Sequence, residues 1–117
     1  MDTKLVVTAY HNAWTRGDVE SARAYLDDDL DFQGSVDTFR RADDFIAALT
    51  VFQKMLRGVN LLQSYFEGNG AALLYDCDTM SPAGVIRTAE FFKVSDGKIK
   101  SIRLVFDATE LRKLMAG

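Results

Sequence analysis

The 117-residue sequence contains one cysteine, one histidine, one proline and one tryptophan. A lone Cys77 cannot close an intrachain disulfide, and a lone His11 cannot complete a histidine-rich metal centre. Zinc-finger and thioredoxin-like classes therefore fall away, and neither a metal nor a cofactor is expected. Basic excess is missing too: 14 Lys and Arg stand against 17 Asp and Glu, for a formal net charge of −3. The basic residues are scattered, so nucleic acid is not an expected partner. No apolar run approaches the roughly 20 residues of a membrane span. The first residues also lack the charged-then-apolar pattern of a secretory signal. The expectation is a cytoplasmic, soluble chain with no membrane partner. With no repeats or linker-like tracts, one domain over 1–117 is expected.

What is present reads as a globular chain, 48% apolar and 26% charged. Val6, Tyr10, Ala13 and Trp14 recur at helical spacing within Thr3–Arg16. Gly17 can close that helix, and Asp18 can cap a second, short one running to about Leu26. The acidic stretch Asp27–Asp31 reads as a solvated turn before a short strand around Phe32. Ala42–Arg57 shows the clearest helical period, through Phe45, Leu49, Phe52 and Leu56. From Val59 the period falls to two. Val59–Glu67 and Ala71–Thr79 flank Gly68-Asn69-Gly70, and Val85–Val94 and Lys98–Phe106 flank Ser95-Asp96-Gly97, which are two hairpin signals. Asp107 and Glu110 fit a capping box for a last helix bearing Leu111, Leu114 and Met115. Helices followed by four antiparallel strands make an α+β fold.

Strand alternation sorts side chains onto two faces. Pairing across Met80–Gly84 sets Asp78 opposite Arg87 and Tyr75 opposite Glu90. Pairing across Ser95–Gly97 sets Glu90 opposite Ile102 and Ala89 opposite Arg103. One face then carries Leu73, Tyr75, Cys77, Ile86, Thr88, Glu90, Phe92, Ile102, Leu104 and Phe106. Being mostly apolar, it covers the helices. Glu90 is its anomaly, because a carboxyl among apolar neighbours is costly unless neutral or paired. Either Glu90 faces a pocket, or it meets a loop cation or turns outward at a bulge. Tyr10, on the buried helix face, is either plain core or a pocket hydroxyl. His11 lies about 100° around the helix from Tyr10 and is expected exposed or half-packed. Cys77, with no histidine near it, reads as a small buried hydrophobe. The opposite face carries Asp76, Asp78, Arg87, Ala89, Phe91, Arg103 and Val105. Its charges read as exposed cross-strand pairs.

Several segments resemble a known family. Tyr10-His11-Asn12-Ala13-Trp14, Arg16-Gly17-Asp18 and Asp28-Asp29 resemble the opening of the NTF2-like superfamily, in particular its SnoaL-like and ketosteroid-isomerase-like members. Glu90-Phe91-Phe92-Lys93-Val94, Asp96-Gly97-Lys98-Ile99 and Arg103-Leu104-Val105-Phe106-Asp107 are similar to its end. The resemblance implies a cone, in which a curved antiparallel sheet wraps a long helix, with a ligand pocket between helices and sheet. It also implies a homodimer through the outer sheet face. Matched position by position, the isomerases' tyrosine falls on Tyr10 and their protonated acid on Glu90, while their general base falls on Gly34, which has no side chain. The matching pocket lining is Trp14, Tyr75, Cys77, Ile86, Thr88, Ile102 and Phe106. That lining suits a small lipophilic molecule with one or two oxygens.

The expected function is binding of such a molecule, with isomerase, cyclase or dehydratase chemistry if Tyr10 and Glu90 polarise a ligand oxygen. A non-catalytic carrier or dimeric assembly module is the alternative. A lesser one is epoxide-hydrolase-like water activation, in which the Asp76, Asp78, Arg87 and Arg103 cluster would have to face the pocket. Asp31 and Gln33 point away from Gly34's face, and the direction of Asp37 is open.

Overall fold

A computed structural model describes residues 2–116 of the chain, with side chains for 2–113. The elements are α1 (Thr3–Thr15), α2 (Val19–Arg23), β1 (Leu26–Gly34), β2 (Thr38–Phe39), α3 (Ala42–Gln53), β3 (Leu56–Glu67), β4 (Gly70–Thr79), β5 (Val85–Ser95), β6 (Lys98–Phe106) and α4 (Thr109–Ala116). One curved, unclosed sheet runs β2-β1-β6-β5-β4-β3, with β1 parallel to β6 and every other pairing antiparallel. Helix α1 lies across β3–β6 on the concave side and buries Val6, Val7, Tyr10, Ala13 and Trp14 there. No helix among the described residues is long and apolar enough to cross a membrane.

Local chemistry accounts for the helix starts. Asp2 accepts the Lys4 N–H at 3.0 Å, and Asp18 accepts the Ser21 N–H at 3.0 Å, each satisfying a donor the helix leaves open. Helix α3 has no side-chain cap, and Asp43 and Asp44 instead place negative charge in its first turn. Both hairpins form where the glycine-containing turns lie. Asp96 and Gly97 take positive φ values of 54° and 73°, as a tight primed turn demands.

Several boundaries differ from the sequence reading. The acidic stretch Asp27–Asp31 is not a turn but most of β1. Leu26, Leu30 and Phe32 bury one side of that strand. Its acids meet cations supplied by other elements: Asp27 meets Lys100 at 2.6 Å, Asp28 meets Arg23 at 2.6 Å, and Asp31 meets Arg103 at 3.0 Å. Helix α3 stops at Gln53, and Leu56, although in helical phase, opens β3. The Met80 N–H donates to the Met55 carbonyl at 2.8 Å, tying that bend to the end of β4. The two-residue β2 had no signal beyond Phe39 itself.

The strand register differs by two residues along most of the β4–β5 and β5–β6 pairings. Asp76, not Asp78, faces Arg87, and Tyr75 faces Thr88. Glu90 faces Leu104 rather than Ile102, and Ala89 faces Val105 rather than Arg103. In the second case the Asp96-Gly97 turn, which pairs Ser95 with Lys98, gives one residue of the difference, and a bulge between Lys93 and Val94 gives the other. An even displacement preserves which side chains share a face, so the face assignment stands. At the C-terminal helix, Asp107 accepts the Thr109 N–H at 3.1 Å, while Glu110 pairs with Lys113 at 3.2 Å instead of reaching back. Leu114 and Met115 lie outside the described side chains.

Candidate functional site

The concave sheet does not close fully on the helices. Between them lies a cavity of about 490 Å³. Its sheet wall is Tyr75 and Cys77 from β4, Ile86, Thr88 and Glu90 from β5, and Leu104 and Phe106 from β6. Helix α1 contributes Tyr10 and Trp14, and α3 contributes Phe45, Ala48, Leu49, Val51 and Phe52. Phe32, Gly34, Ser35, Val36, Asp37 and Phe39 bring the β1–β2 segment to the wall, with Met55 and Leu111 completing it. Phe32 stacks on Phe45 with ring centroids 4.5 Å apart, which joins the β1 side to α3. Lys, Arg and His do not occur among the lining residues.

Glu90 is 1% exposed. Its Oε1 accepts the Tyr75 hydroxyl at 2.8 Å, a fully buried hydrogen bond across neighbouring strands. Burial disfavours the charged carboxylate and pushes Glu90 up to about 7, although the Tyr75 hydrogen bond pulls the other way. The group is therefore a neutral acid, able to donate its proton, over most of the range below pH 7. Burial first, and then the Glu90 charge, push both Tyr10 and Tyr75 well above the usual tyrosine value. Both phenols stay protonated. Tyr10 shares the cavity wall with Glu90, but the partner of the carboxyl is Tyr75. The sequence pattern places Tyr75 only in the apolar lining, and the hydrogen bond to Glu90 gives it a second role.

The expected site residues divide as follows. Tyr10, Trp14, Tyr75, Cys77, Ile86, Thr88, Glu90 and Phe106 all line the cavity. Ile102 does not; it is fully buried beside Phe32 and Phe92 in the core behind the wall. His11 is corrected from exposed or half-packed to buried, at 4% exposed. Its ring sits 5.1 Å from Tyr75 and 5.6 Å from Trp14, centroid to centroid, because the sheet curves far enough around α1 to cover that flank. Burial lowers its pKa to about 4, so it is neutral at physiological pH. Cys77 is buried, with a thiol pushed up to about 12 by burial, and is unreactive at neutral pH.

Gly34 lines the cavity at the place the resemblance gave to a base, and Asp37, whose direction was open, lines it too. On the outer face the charges form two separate pairs. Arg87 grips Asp76 through two bonds of 2.8 and 2.9 Å, and Arg103 grips Asp31. Asp76, Asp78, Arg87 and Arg103 are all absent from the cavity lining, so no carboxylate–arginine relay faces it. Among the described residues no cluster of three potential metal ligands occurs. The α3 contribution was missed from sequence. Its periodic stripe of Phe45, Leu49 and Phe52 was a signal for burial, with nothing to say that part of the stripe faces open space.

A search of curated proteins finds no match. Among solved structures, a protein from Kribbella flavida is 29% identical, with TM-score 0.86, covering 95% of this chain and 91% of that one. An NTF2-like protein of unknown function from Cytophaga hutchinsonii is 19% identical, with TM-score 0.80 and 96% of each chain covered. An LEH-like epoxide hydrolase of M. tuberculosis is 22% identical, with TM-score 0.76, covering 97% of this chain and 92% of that one. The last two likenesses show the fold. A family model for the SnoaL-like domain matches residues 7–102. The chain, an α+β cone with its cavity between helices and sheet and the fold of an NTF2-like protein, belongs to the SnoaL-like family.

Proposed function

We propose that the cavity binds one small lipophilic molecule and engages an oxygen of it through Tyr10 and Glu90. The observation that carries this reading is a buried carboxyl on a mostly apolar and aromatic wall with no cation to pair it. A protonated Glu90 has an O–H that needs an acceptor, and a ligand carbonyl or hydroxyl supplies one. Two donors aimed at one oxygen would stabilise negative charge developing there, which is the electrophilic half of an enolising, dehydrating or cyclising site. Calorimetry with 1-decalone tests the reading. Binding at pH 6 that weakens as pH rises through about 7 is expected; a ketone that does not bind at pH 6 overturns it.

The other half of such a site is a base, and position 34 offers none. That absence favours a ligand carrier over an isomerase as the second reading. A β,γ-unsaturated ketosteroid should therefore not be isomerised at a useful rate. Gly34→Asp should confer weak activity, and adding Tyr10→Phe should reduce it again. The gain is small because a Cβ at Gly34 meets the Phe32 ring at 3.0 and 3.2 Å and the Asp37 carbonyl at 3.3 Å, so the new carboxylate arrives with its neighbours displaced. Vigorous turnover by the unsubstituted protein would overturn the missing-base reading and make Asp37, which lines the cavity, the first residue to substitute.

The outer sheet face forms a two-fold homodimer in this reading. Tyr65, Val85, Phe91 and Val105 are 62%, 60%, 48% and 56% exposed on it, interleaved with the Asp76–Arg87 and Asp31–Arg103 pairs. Large apolar side chains among paired charges suit an interface core with a polar rim better than a solvated sheet. Sedimentation should show a dimer at tens of micromolar and a monomer for Phe91→Glu. A monomeric unsubstituted protein at that concentration refutes the interface.

A further inference from the structure

The residues that line the cavity are unequally covered, which gives it a closed end and an open one. Tyr10 and Glu90 are 1% exposed, Tyr75 2% and Trp14 3%, so the wall around the acid is shut off from solvent. Val51 lines the same cavity yet is 66% exposed, and Val36, Ala48, Met55 and Leu111 line it while only half-buried. Solvent therefore reaches the cavity at this second group, supplied by the β1–β2 segment, the C-terminal half of α3 and the start of α4. All five side chains of this lip are apolar. The Met80 N–H donates to the Met55 carbonyl at 2.8 Å, which sets a further apolar residue, 57% exposed, beside the lip. Polar groups there are engaged or solvated. The Ser35 Oγ accepts the Phe106 N–H at 3.0 Å, the Ser35 carbonyl accepts Arg112 at 2.7 Å, and Asp37 is exposed.

The acid that can hold an oxygen thus lies at the closed end, and the uncovered apolar surface lies at the lip. Apolar side chains gathered at the mouth of a cavity are costly in water and mark a place where an apolar group lies. Helix α3 leaves room for one. Ala48 sits between Phe45 and Phe52, about one turn from each, so the helix wall has its gap at a residue where the cavity opens. We propose that the ligand is an oxygenated ring bearing an unbranched alkyl chain on the side away from its oxygen. The ring seats at Glu90, and the chain runs out past Ala48 over Val51, Met55 and Leu111. This rests on the cavity reading above and adds to it the class of ligand and the direction in which it lies.

Calorimetry at pH 6 with 4-methyl-, 4-propyl- and 4-hexylcyclohexanone reads the chain directly. Affinity should rise about fourfold for each methylene laid on the lip and level off once the chain has passed it. 2-Hexylcyclohexanone has the same atoms as the 4-hexyl isomer but starts its chain beside the oxygen, at the closed end. It should bind about tenfold more weakly, the loss of roughly two covered methylenes. Val51→Asp puts a charge on the path of the chain and should flatten the dependence on chain length. A loss in equal proportion for all three 4-alkyl ketones would instead remove Val51 from that path and overturn the proposal. Equal affinities along the 4-alkyl series, or for the two hexyl isomers, overturn it too, and if 1-decalone still binds, the cavity reading stands. If neither 1-decalone nor any alkyl ketone binds, the cavity reading itself fails, and this inference with it. The series on the unsubstituted protein decides the matter even if Val51→Asp does not fold.

Discussion

Glu90→Gln should stabilise the protein by about 3 kcal/mol at pH 8 and leave it almost unchanged at pH 4, because Glu90 is pushed from 4.5 to about 7 by burial. In the folded protein the carboxyl keeps a proton that the unfolded chain releases near 4.5. Its contribution is therefore fully present below that value, declines as pH rises, and is lost once pH passes about 7. Glutamine has nearly the same shape and no charge, and its carbonyl still accepts the Tyr75 hydroxyl. It removes the cost of a buried carboxylate and little else. His11 works in the opposite sense. Its pKa is lowered from 6.5 to about 4, so its contribution is present above 6.5 and is lost as pH falls towards 4. In the unsubstituted protein the two slopes offset one another between roughly pH 4.5 and 6.5. In Glu90→Gln the His11 slope stands alone, and stability should rise with pH across that interval. Urea unfolding at pH 4, 6 and 8 measures all of this. An equal effect of the substitution at pH 4 and pH 8 would show that Glu90 is not the buried neutral acid described above.

Tyr75→Phe should move the pH midpoint of ketone binding upward by about one unit. The Tyr75 hydroxyl donates to Glu90 at 2.8 Å and stabilises its ionised form. A hydrogen bond to a charged group contributes about 1.5–3 kcal/mol, and each pKa unit corresponds to about 1.4 kcal/mol. Without that donor the carboxyl stays protonated to higher pH, so at pH 8 the variant should bind 1-decalone more tightly than the unsubstituted protein. If Tyr75 only fills space, the substitution lowers affinity evenly at every pH and the midpoint stays where it was. The direction of the midpoint shift therefore separates a positioning residue from a packing one. Calorimetric titrations from pH 5 to 9 provide the readout.

The elements that could be read from the sequence are those whose physics is local. Val6, Tyr10, Ala13 and Trp14 specify α1 by spacing alone, Asp18 caps α2, and the glycines of the two hairpins mark their turns. Alternation did more than register did. It placed Glu90, Tyr75 and Cys77 together on the concave face even though the pairing was displaced by two, because side-chain direction has period two and tolerates any even displacement. An anomalous carboxyl at position 90 was visible in the sequence for the same reason.

Tertiary structure decided what depends on distant partners. Asp27–Asp31 became a strand because Arg23, Lys100 and Arg103 reach it from other elements, which a composition-based reading of five acidic and apolar residues cannot foresee. His11 became buried because the sheet curves around the flank of α1, and Ile102 fell behind the cavity wall rather than on it. Which hydroxyl holds Glu90 was also undetermined. The pairing of β4 with β5 gives that role to Tyr75, one diagonal step away, while Tyr10 stands across the cavity wall without the bond. Residue type and spacing along one chain thus determined the apolar face and its acid. The curvature of six paired strands determined the space in front of that acid, since curvature is a property of the sheet and of no single segment.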